Sequence, residues 1–182
     1  MDDYLDSHHR AKGESFVRIQ AGDILVKCLE ECSEAPIQRL VEALILAGPE
    51  SLSVLREISS ETHQRKIQVE DDMQQVLTGW KSNLESFGIH LRGLKRARIV
   101  SQMDTVRFLA WLKSHGVVEE ESQDVCLQLK RDLCDLLVTL NSHYALLARI
   151  EKYLNDWIWG VFHQLVHQGV SATPVPDRKW VF

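Results

Sequence analysis

Three histidines of this sequence lie in patterns that could support chemistry, one of them alone and two as a pair. His9 precedes Lys12 and Gly13 in "HRAKG", where the imidazole could accept a phosphoryl group. His163 and His167 lie four residues apart, which places two imidazoles on one face of a helix in a way that can hold a metal ion. We predict no metal site there, because the sequence offers no third ligand and exposed polar side chains explain the spacing.

The segment "HRAKG" resembles the HxxKG core of histidine-phosphotransfer domains, whose phosphorylated histidine stands exposed on a four-helix bundle. The resemblance implies that His9 would carry the phosphoryl group and that Lys12 would help to hold it. It also implies that Gly13 would leave room for a docking response regulator. The alternative interpretation is a polar N-terminal arm over residues 1–13.

Other catalytic signatures are absent from the sequence, which has no phosphate-cradling glycine loop, no GxSxG elbow and no paired CxxC. We therefore predict a chain that is not an enzyme and that needs no cofactor. The four cysteines lack CxxC spacing, and we interpret them as reduced thiols in core or half-buried positions. They are Cys28, Cys32, Cys126 and Cys134.

Composition and charge narrow the classes of partner. The 182 residues are 45% hydrophobic and 26% charged, which is typical of a globular protein with one sizeable core. The formal net charge of -5 excludes attraction of the whole molecule to nucleic acid or to anionic lipid. The sequence has neither a signal-peptide pattern nor an apolar run of about 20 residues, so we expect a cytoplasmic protein with no membrane contact.

Proline and glycine positions predict an all-α fold. The prolines leave residues 50–173 free of the strongest helix breaker, and Gly88 and Gly116 are natural helix stops within that stretch. We expect an elongated bundle of about five helices, whose long third and fifth helices form a coiled-coil-like hairpin. The predicted helices cover about 14–32, 34–47, 49–87, 91–114 and 118–168.

The positions of proline and glycine also predict that the chain has three parts. Residues 1–13 form a flexible arm, residues 14–169 form a single helical domain, and residues 170–182 form an extended tail.

The fifth predicted helix carries apolar residues in alternating steps of three and four, which is the pattern of a heptad seam. A helix of about 50 residues is roughly 75 Å long, and a helix of 24 residues covers only about half of it. We therefore expect part of the seam to be covered by a second copy of the chain. The residues predicted for self-association are Leu133, Leu136, Leu140, Leu147 and Leu154.

Residues 90–98 form a basic segment in an otherwise acidic chain. Its charged members predict an anion patch that could bind an acidic protein surface, a phosphate or nucleic acid. Nucleic acid is not favoured, because no aromatic residue is interleaved to stack on bases. The alternative is a solvated helix face. The patch consists of Arg92, Lys95, Arg96 and Arg98.

Two further surfaces are predicted to bind a partner. Trp159 points away from the buried arc of the fifth helix, on the side of His163, and an exposed tryptophan is a frequent binding anchor. The tail ends in Trp180, Val181 and Phe182, which require cover from a partner or from the chain's own bundle.

These observations favour a non-enzymatic helical module for protein interaction, acting as an adaptor, scaffold or regulator and associating with itself through its long C-terminal helix. Two alternatives stay open. One is a signalling protein similar to histidine-phosphotransfer domains that uses His9. The other is a regulator that binds nucleic acid or another anion through residues 90–98.

Overall fold

The chain folds as an all-α helical bundle. The computed structural model describes residues 21–47 and 51–167, with the backbone alone at residue 162 and residues 164–167. Within these ranges the structure contains no strand. The helices are α1 (21–30), α2 (Ala35–Ala47), α3 (Ser51–Ser86), α4 (Gly93–Ser101), α5 (Thr105–Ser114) and α6 (Glu120–His167). Because α3 has 36 residues and α6 has 48, the predicted fold class with its long helices is confirmed.

The described chain forms two compact units. The first unit comprises residues 21–47, 51–63 and 148–167, and the second comprises residues 64–147. Both α3 and α6 contribute a segment to each unit. The interpretation of residues 14–169 as a single domain stays a prediction.

In the first unit, polar contacts fix the start of α2 and join α3 to α6. Ser33 Oγ accepts a hydrogen bond from the N–H of Ala35 at 3.2 Å, which satisfies a backbone donor at the start of α2. Ser59 Oγ donates to Asn155 Oδ1 at 3.1 Å. The buried apolar side chains of this unit are Ala21, Leu25, Cys28, Ile37, Val41, Leu55, Ile58, Ile150 and Leu154.

The second unit has a core to which α3, α4, α5 and α6 all contribute. Phe108 of α5 is fully buried in it, with its ring 5.9 Å from that of Trp80 and 5.8 Å from that of Trp111. Burying a side chain of this size stabilises the fold by roughly 1.5–3 kcal/mol. The buried cluster consists of Trp80, Leu84, Ile89, Leu91, Ala97, Val100, Phe108, Leu112, Val117, Cys126 and Leu133.

Two helices of the second unit end in the same way. At the end of α3, Gly88 has φ +80°, its N–H bonds to the carbonyl of Glu85 at 2.9 Å, and the N–H of Ile89 bonds to the carbonyl of Leu84 at 3.0 Å. This pair of bonds is a Schellman motif, which requires a left-handed residue that glycine adopts without strain. The end of α5 repeats the pattern at Gly116, which has φ +90°. Both predicted helix stops are confirmed.

The predicted helix over residues 91–114 is two helices. It is interrupted at residues 102–104, where Asp104 adopts an extended conformation and its side chain accepts the N–H of Arg107 at 2.8 Å. Asp104 is thereby the N-cap of α5, because its carboxylate satisfies a backbone donor that the new helix leaves unpaired. The prediction missed this break because no glycine or proline marks it.

The last helix starts within two residues of its prediction and continues to His167, where the described range ends. The first turn of α6 contains Glu120 and Glu121, whose negative charge suits the positive end of the helix dipole. Gln123 is buried and its Nε2 donates to the carbonyls of Val117 and Val118, at 3.0 and 3.1 Å. These bonds tie the preceding connection to the start of α6. No helix in the described ranges combines the length and apolar character needed to cross a membrane.

Candidate anion-binding site

Positive charge is concentrated around α4 and α5. Residues 86–118 contain six Lys and Arg residues and two His, with Asp104 as the one acidic residue, although the whole chain has a net charge of -5. A local excess of this size attracts anions even though the molecule as a whole repels them. The fold brings only some of these side chains together.

Two arginines are presented by the start of α4. Arg92 is the N-cap residue and makes no side-chain capping bond. Arg96 follows four residues later, so the two side chains lie on one face of the helix. Both residues are exposed. The buried residues of α4 are Ala97, Val100 and Ser101, and the first two belong to the core cluster of the second unit.

The end of α5 contributes an imidazole that is held in place. The ring of His115 lies 4.4 Å from that of Trp111, centroid to centroid, and its Nδ1 bonds to the carbonyl oxygen of Trp111 at 2.8 Å. Because a carbonyl oxygen can only accept, Nδ1 carries the hydrogen, and Nε2 is the nitrogen left to bind another group. Ser114 Oγ donates to the same carbonyl at 2.7 Å. The indole ring and the carbonyl group of Trp111 thus fix the imidazole, and the Ser114 hydroxyl is bonded to the same carbonyl.

These side chains surround an open depression of about 360 Å³. This volume lies at the lower end of the range for ligand sites, about 300–1,000 Å³. The residues that line it are His90, Leu91, Arg92, Arg96, Trp111 and His115. Every charged or titratable side chain in this lining is a cation or can become one.

Aromatic packing supports the depression from below. The ring of Trp111 contacts that of Phe108, three residues earlier, and that of His115, four residues later. The ring of Phe108 in turn contacts that of Trp80. The indole N–H groups of Trp80 and Trp111 are buried and have no acceptor among the described residues. Ring packing, and not hydrogen bonding, therefore holds these two indoles.

The basic side chains of residues 90–98 have no counter-ion within the part of the chain that the structure describes. The two acidic residues that flank the segment are paired elsewhere. Lys81 Nζ bonds to Glu85 Oε1 at 2.6 Å, and Arg107 Nε lies 3.3 Å from Asp104 Oδ2. The hydrogen bond from Lys81 lowers the pKa of the Glu85 carboxyl, and the nearby charges of Lys81 and His90 act in the same direction.

The predicted anion patch is brought together only in part. Arg92 and Arg96 line the depression, whereas Lys95 and Arg98 are exposed but do not line it. Trp111 and His115, which complete the lining from α5, were not predicted from the sequence. No local pattern in the sequence indicates them, because they reach the depression through the packing of α5.

No aromatic residue is interleaved among residues 90–98, but the fold brings Trp111 of α5 to the same depression. Trp111 lies at the depression, but it is half-buried and its ring already contacts Phe108 and His115. It acts as a scaffold beneath the site and does not present an open face on which a base could stack.

The residues predicted for self-association are divided between the core and the surface. Leu133, Leu147 and Leu154 are buried within the single chain, so in this structure they do not form a face for a second copy. Leu140 is half-buried, and Leu136 is 46% exposed. Self-association itself stays a prediction.

The aromatic surface near the end of α6 is exposed. Trp159 is 55% exposed and its ring lies 6.1 Å from that of His163, which is also exposed. Trp157 is 37% exposed, with its ring edge-on to that of Tyr153. Trp180, Val181 and Phe182 of the tail lie outside the described residues, as does His9 with the whole N-terminal arm.

The cysteines offer no reactive centre in the described structure. All four are unpaired, and burial raises the pKa of the Cys28 and Cys126 thiols. Cys134 is half-buried, but Cys32 is exposed, so the prediction of core or half-buried thiols is wrong for Cys32. Within the described residues no group of three His, Cys, Asp or Glu side chains could hold a metal ion.

The arrangement that the fold does assemble is two guanidinium groups and two imidazoles around one depression. Guanidinium groups bind planar or tetrahedral anions through paired N–H donors, and imidazoles add a donor when they are protonated. Leu91 and Trp111 provide the apolar part of the lining. No family model matches the chain, and neither a curated protein nor a solved structure is similar to it.

Proposed function

We propose that this chain is a non-enzymatic helical module for protein interaction, which binds an anionic segment of its partner at the depression between α4 and α5. The observation that carries the proposal is the convergence of His90, Arg92, Arg96 and His115, from segments that lie up to 25 residues apart, on one depression without a carboxylate. Their charges are not needed to hold the fold, since none of them has an ion-pair partner within the described residues.

An acidic protein segment fits this site better than nucleic acid does. The net charge of -5 repels a long polyanion, which would extend beyond the depression onto the acidic parts of the molecule. A short acidic segment can enter the basic area alone. Binding to single strands also uses open aromatic faces, and Trp111 is already covered by its neighbours.

The proposal is tested by titrating the full chain with a short aspartate-rich peptide and following the backbone amide resonances by NMR. The double variant Arg92→Gln, Arg96→Gln should weaken binding by about tenfold or more, because each charge-assisted hydrogen bond contributes roughly 1.5–3 kcal/mol. The matched control is Arg39→Gln, Arg56→Gln, which removes the same charge from two exposed positions of the first unit. Equal losses in the two variants would contradict a site at the depression.

Self-association through α6 is the second candidate function. Val125 and Leu136 are each 46% exposed and lie on the same side of the helix, at 100° per residue. The half-buried Leu129 and Leu140 extend this side along α6. This narrower stripe, and not the whole predicted seam, is the face that we propose for a second copy.

Light scattering on the full chain tests this candidate. Leu136→Asp should give a monomer where the unmodified chain gives a dimer. Val138→Asp is the matched control, because Val138 is 65% exposed on another side of α6 and its replacement should leave the dimer intact. A monomer from the unmodified chain at high micromolar concentration would contradict the candidate.

A phosphorelay function stays a prediction, because it depends on His9, which lies outside the described residues. A cytoplasmic location is part of our proposal and is supported by four thiols that are unpaired in the structure, as suits a reducing compartment.

A further inference from the structure

We propose that the group recognised at the depression is a phosphate monoester on the partner protein, in preference to a carboxylate. This inference rests on the proposed function, because it names the chemical group of the anionic segment that binds there. Three features of the site support it: the number of donors, the position of the charges and the state of Trp111.

The lining offers more donors than a carboxylate can accept. Each guanidinium has five N–H donors in a planar fork, and Arg92 and Arg96 present two such forks one helical turn apart. A carboxylate offers about four lone-pair sites on two oxygens and a single negative charge, so it leaves one of the two guanidinium charges uncompensated. A phosphate monoester has three terminal oxygens and a charge of about -1.5 to -2 at pH 7, so it can accept from both arginines. His90 or His115 can supply a further donor when protonated.

The second feature is the position of the positive charges, which lie in the first turn of α4 and destabilise that helix. The N-terminus of a helix carries a partial positive charge, and acidic residues in its first turn are stabilising. In α6 that turn contains Glu120 and Glu121, but α4 has no acidic residue there and instead carries Lys95 and Arg96. An excess of positive charge that forms no ion pair within the described residues is expected at a functional site and not at a purely structural one. A dianion bound between Arg92 and Arg96 would neutralise this excess.

A phosphorylated protein segment is favoured over a nucleic acid strand. A strand would bring one phosphate per nucleotide and require a series of basic sites with open aromatic faces. The depression contains two arginines, and the Trp111 ring beside it is covered by Phe108 and His115.

The test compares three pools of short peptides that are random except at their centre, with full-length protein at fixed ionic strength and fluorescence anisotropy as the readout. The centre is phosphoserine in the first pool, two aspartates in the second and serine in the third. We expect the phosphoserine pool to bind about tenfold tighter than the aspartate pool of equal formal charge, and the serine pool to bind weakest.

A charge-preserving variant separates geometry from charge. Arg92→Lys, Arg96→Lys keeps both positive charges but removes the planar forks, so the preference for phosphoserine should fall to about twofold or less. The control is Arg39→Lys, Arg56→Lys, which should retain the full preference.

Each outcome has one meaning. Equal binding of the phosphoserine and aspartate pools would overturn the phosphate inference and leave the proposed function standing. Failure of every acidic pool to bind would overturn both. Tighter binding of a short single-stranded oligonucleotide than of the phosphoserine pool would overturn the inference in favour of nucleic acid.

Discussion

The two units of this protein use their charged side chains in different ways. In the first unit, charges are paired between helices that are distant in sequence: Arg149 bonds to Glu34, and His63 Nδ1 bonds to Glu151 Oε1 at 2.8 Å. In the second unit, the basic side chains of residues 90–98 have no such partner within the described residues. Basic residues of the first unit thus pair with carboxylates distant in sequence, whereas those of residues 90–98 make no ion pair within the described chain, and we propose that they bind a ligand.

The units also differ at their helix ends. A Schellman end requires a left-handed residue, and the second unit supplies glycine for this purpose at Gly88 and Gly116. In the first unit, the left-handed residue at the end of α1 is Cys32, which has φ +49°. The same pair of backbone hydrogen bonds forms there. The helix ends at Gly88 and Gly116, which flank the basic depression, are therefore free of backbone strain, whereas the helix end at Cys32 is strained.

The largest expected effect comes from removing the aromatic support while leaving every charge in place. Phe108→Ala should lower the free energy of unfolding by about 3–5 kcal/mol, because Phe108 is fully buried between Trp80 and Trp111. Urea unfolding followed by circular dichroism measures the change. Val106→Ala on the same helix is the control and should stay within about 0.5 kcal/mol, since Val106 is 77% exposed. A loss below about 1 kcal/mol for Phe108→Ala would contradict the described packing.

An intermediate effect is expected at the helix ends, with opposite signs in the two units. Gly116→Ala should destabilise the protein by about 1–2 kcal/mol, because a Cβ is unfavourable at φ +90° although it would meet no atom within 4 Å. Cys32→Gly should stabilise it by up to about 1 kcal/mol, since glycine removes the strain but gains freedom in the unfolded chain. Both values follow from urea midpoints at constant slope. Changes of the same sign at the two positions would show that the comparison of helix ends is wrong.

The smallest effect concerns the charges themselves. Arg149 and Glu34 have side chains that are 59% and 25% exposed, so their pairing should contribute about 0.2–1 kcal/mol in a double-mutant cycle with Arg149→Gln and Glu34→Gln. The variant Arg92→Gln, Arg96→Gln should leave the stability unchanged within about 0.5 kcal/mol, because it breaks no ion pair of the described chain. A larger loss at Arg92 and Arg96 would show that these residues have a structural role and would remove the contrast between the units.

Local signals in the sequence predicted most of the fold. Gly88 and Gly116 predicted two helix ends, since only glycine adopts the left-handed conformation there at low cost. The break at Asp104 was missed because an aspartate that caps a helix looks the same in sequence as one on a helix surface. What distinguishes them is the backbone conformation, which depends on how α4 and α5 pack.

Only the part of the candidate site whose residues are close together in sequence was predictable. Arg92 and Arg96 are close in sequence to the other basic residues and were found by composition. His115 joins them through the packing of α5 against α3 and α6, which no local pattern reports. In the same way, the heptad spacing identified the apolar side of α6, but periodicity does not say whether α3, α4 or a second copy covers a given leucine.

The division of the chain into units also sets an order of events during synthesis. The second unit is one continuous segment, residues 64–147, whereas the first unit is completed by residues 148–167, which are made later. His63 and Glu151 are 88 residues apart, so at about 5–20 residues per second the ribosome needs roughly 4–18 s to produce the second partner after the first. Every contact within the second unit therefore joins residues that have been made by the time the chain reaches residue 147, whereas the first unit cannot be complete until residues 148–167 have been made.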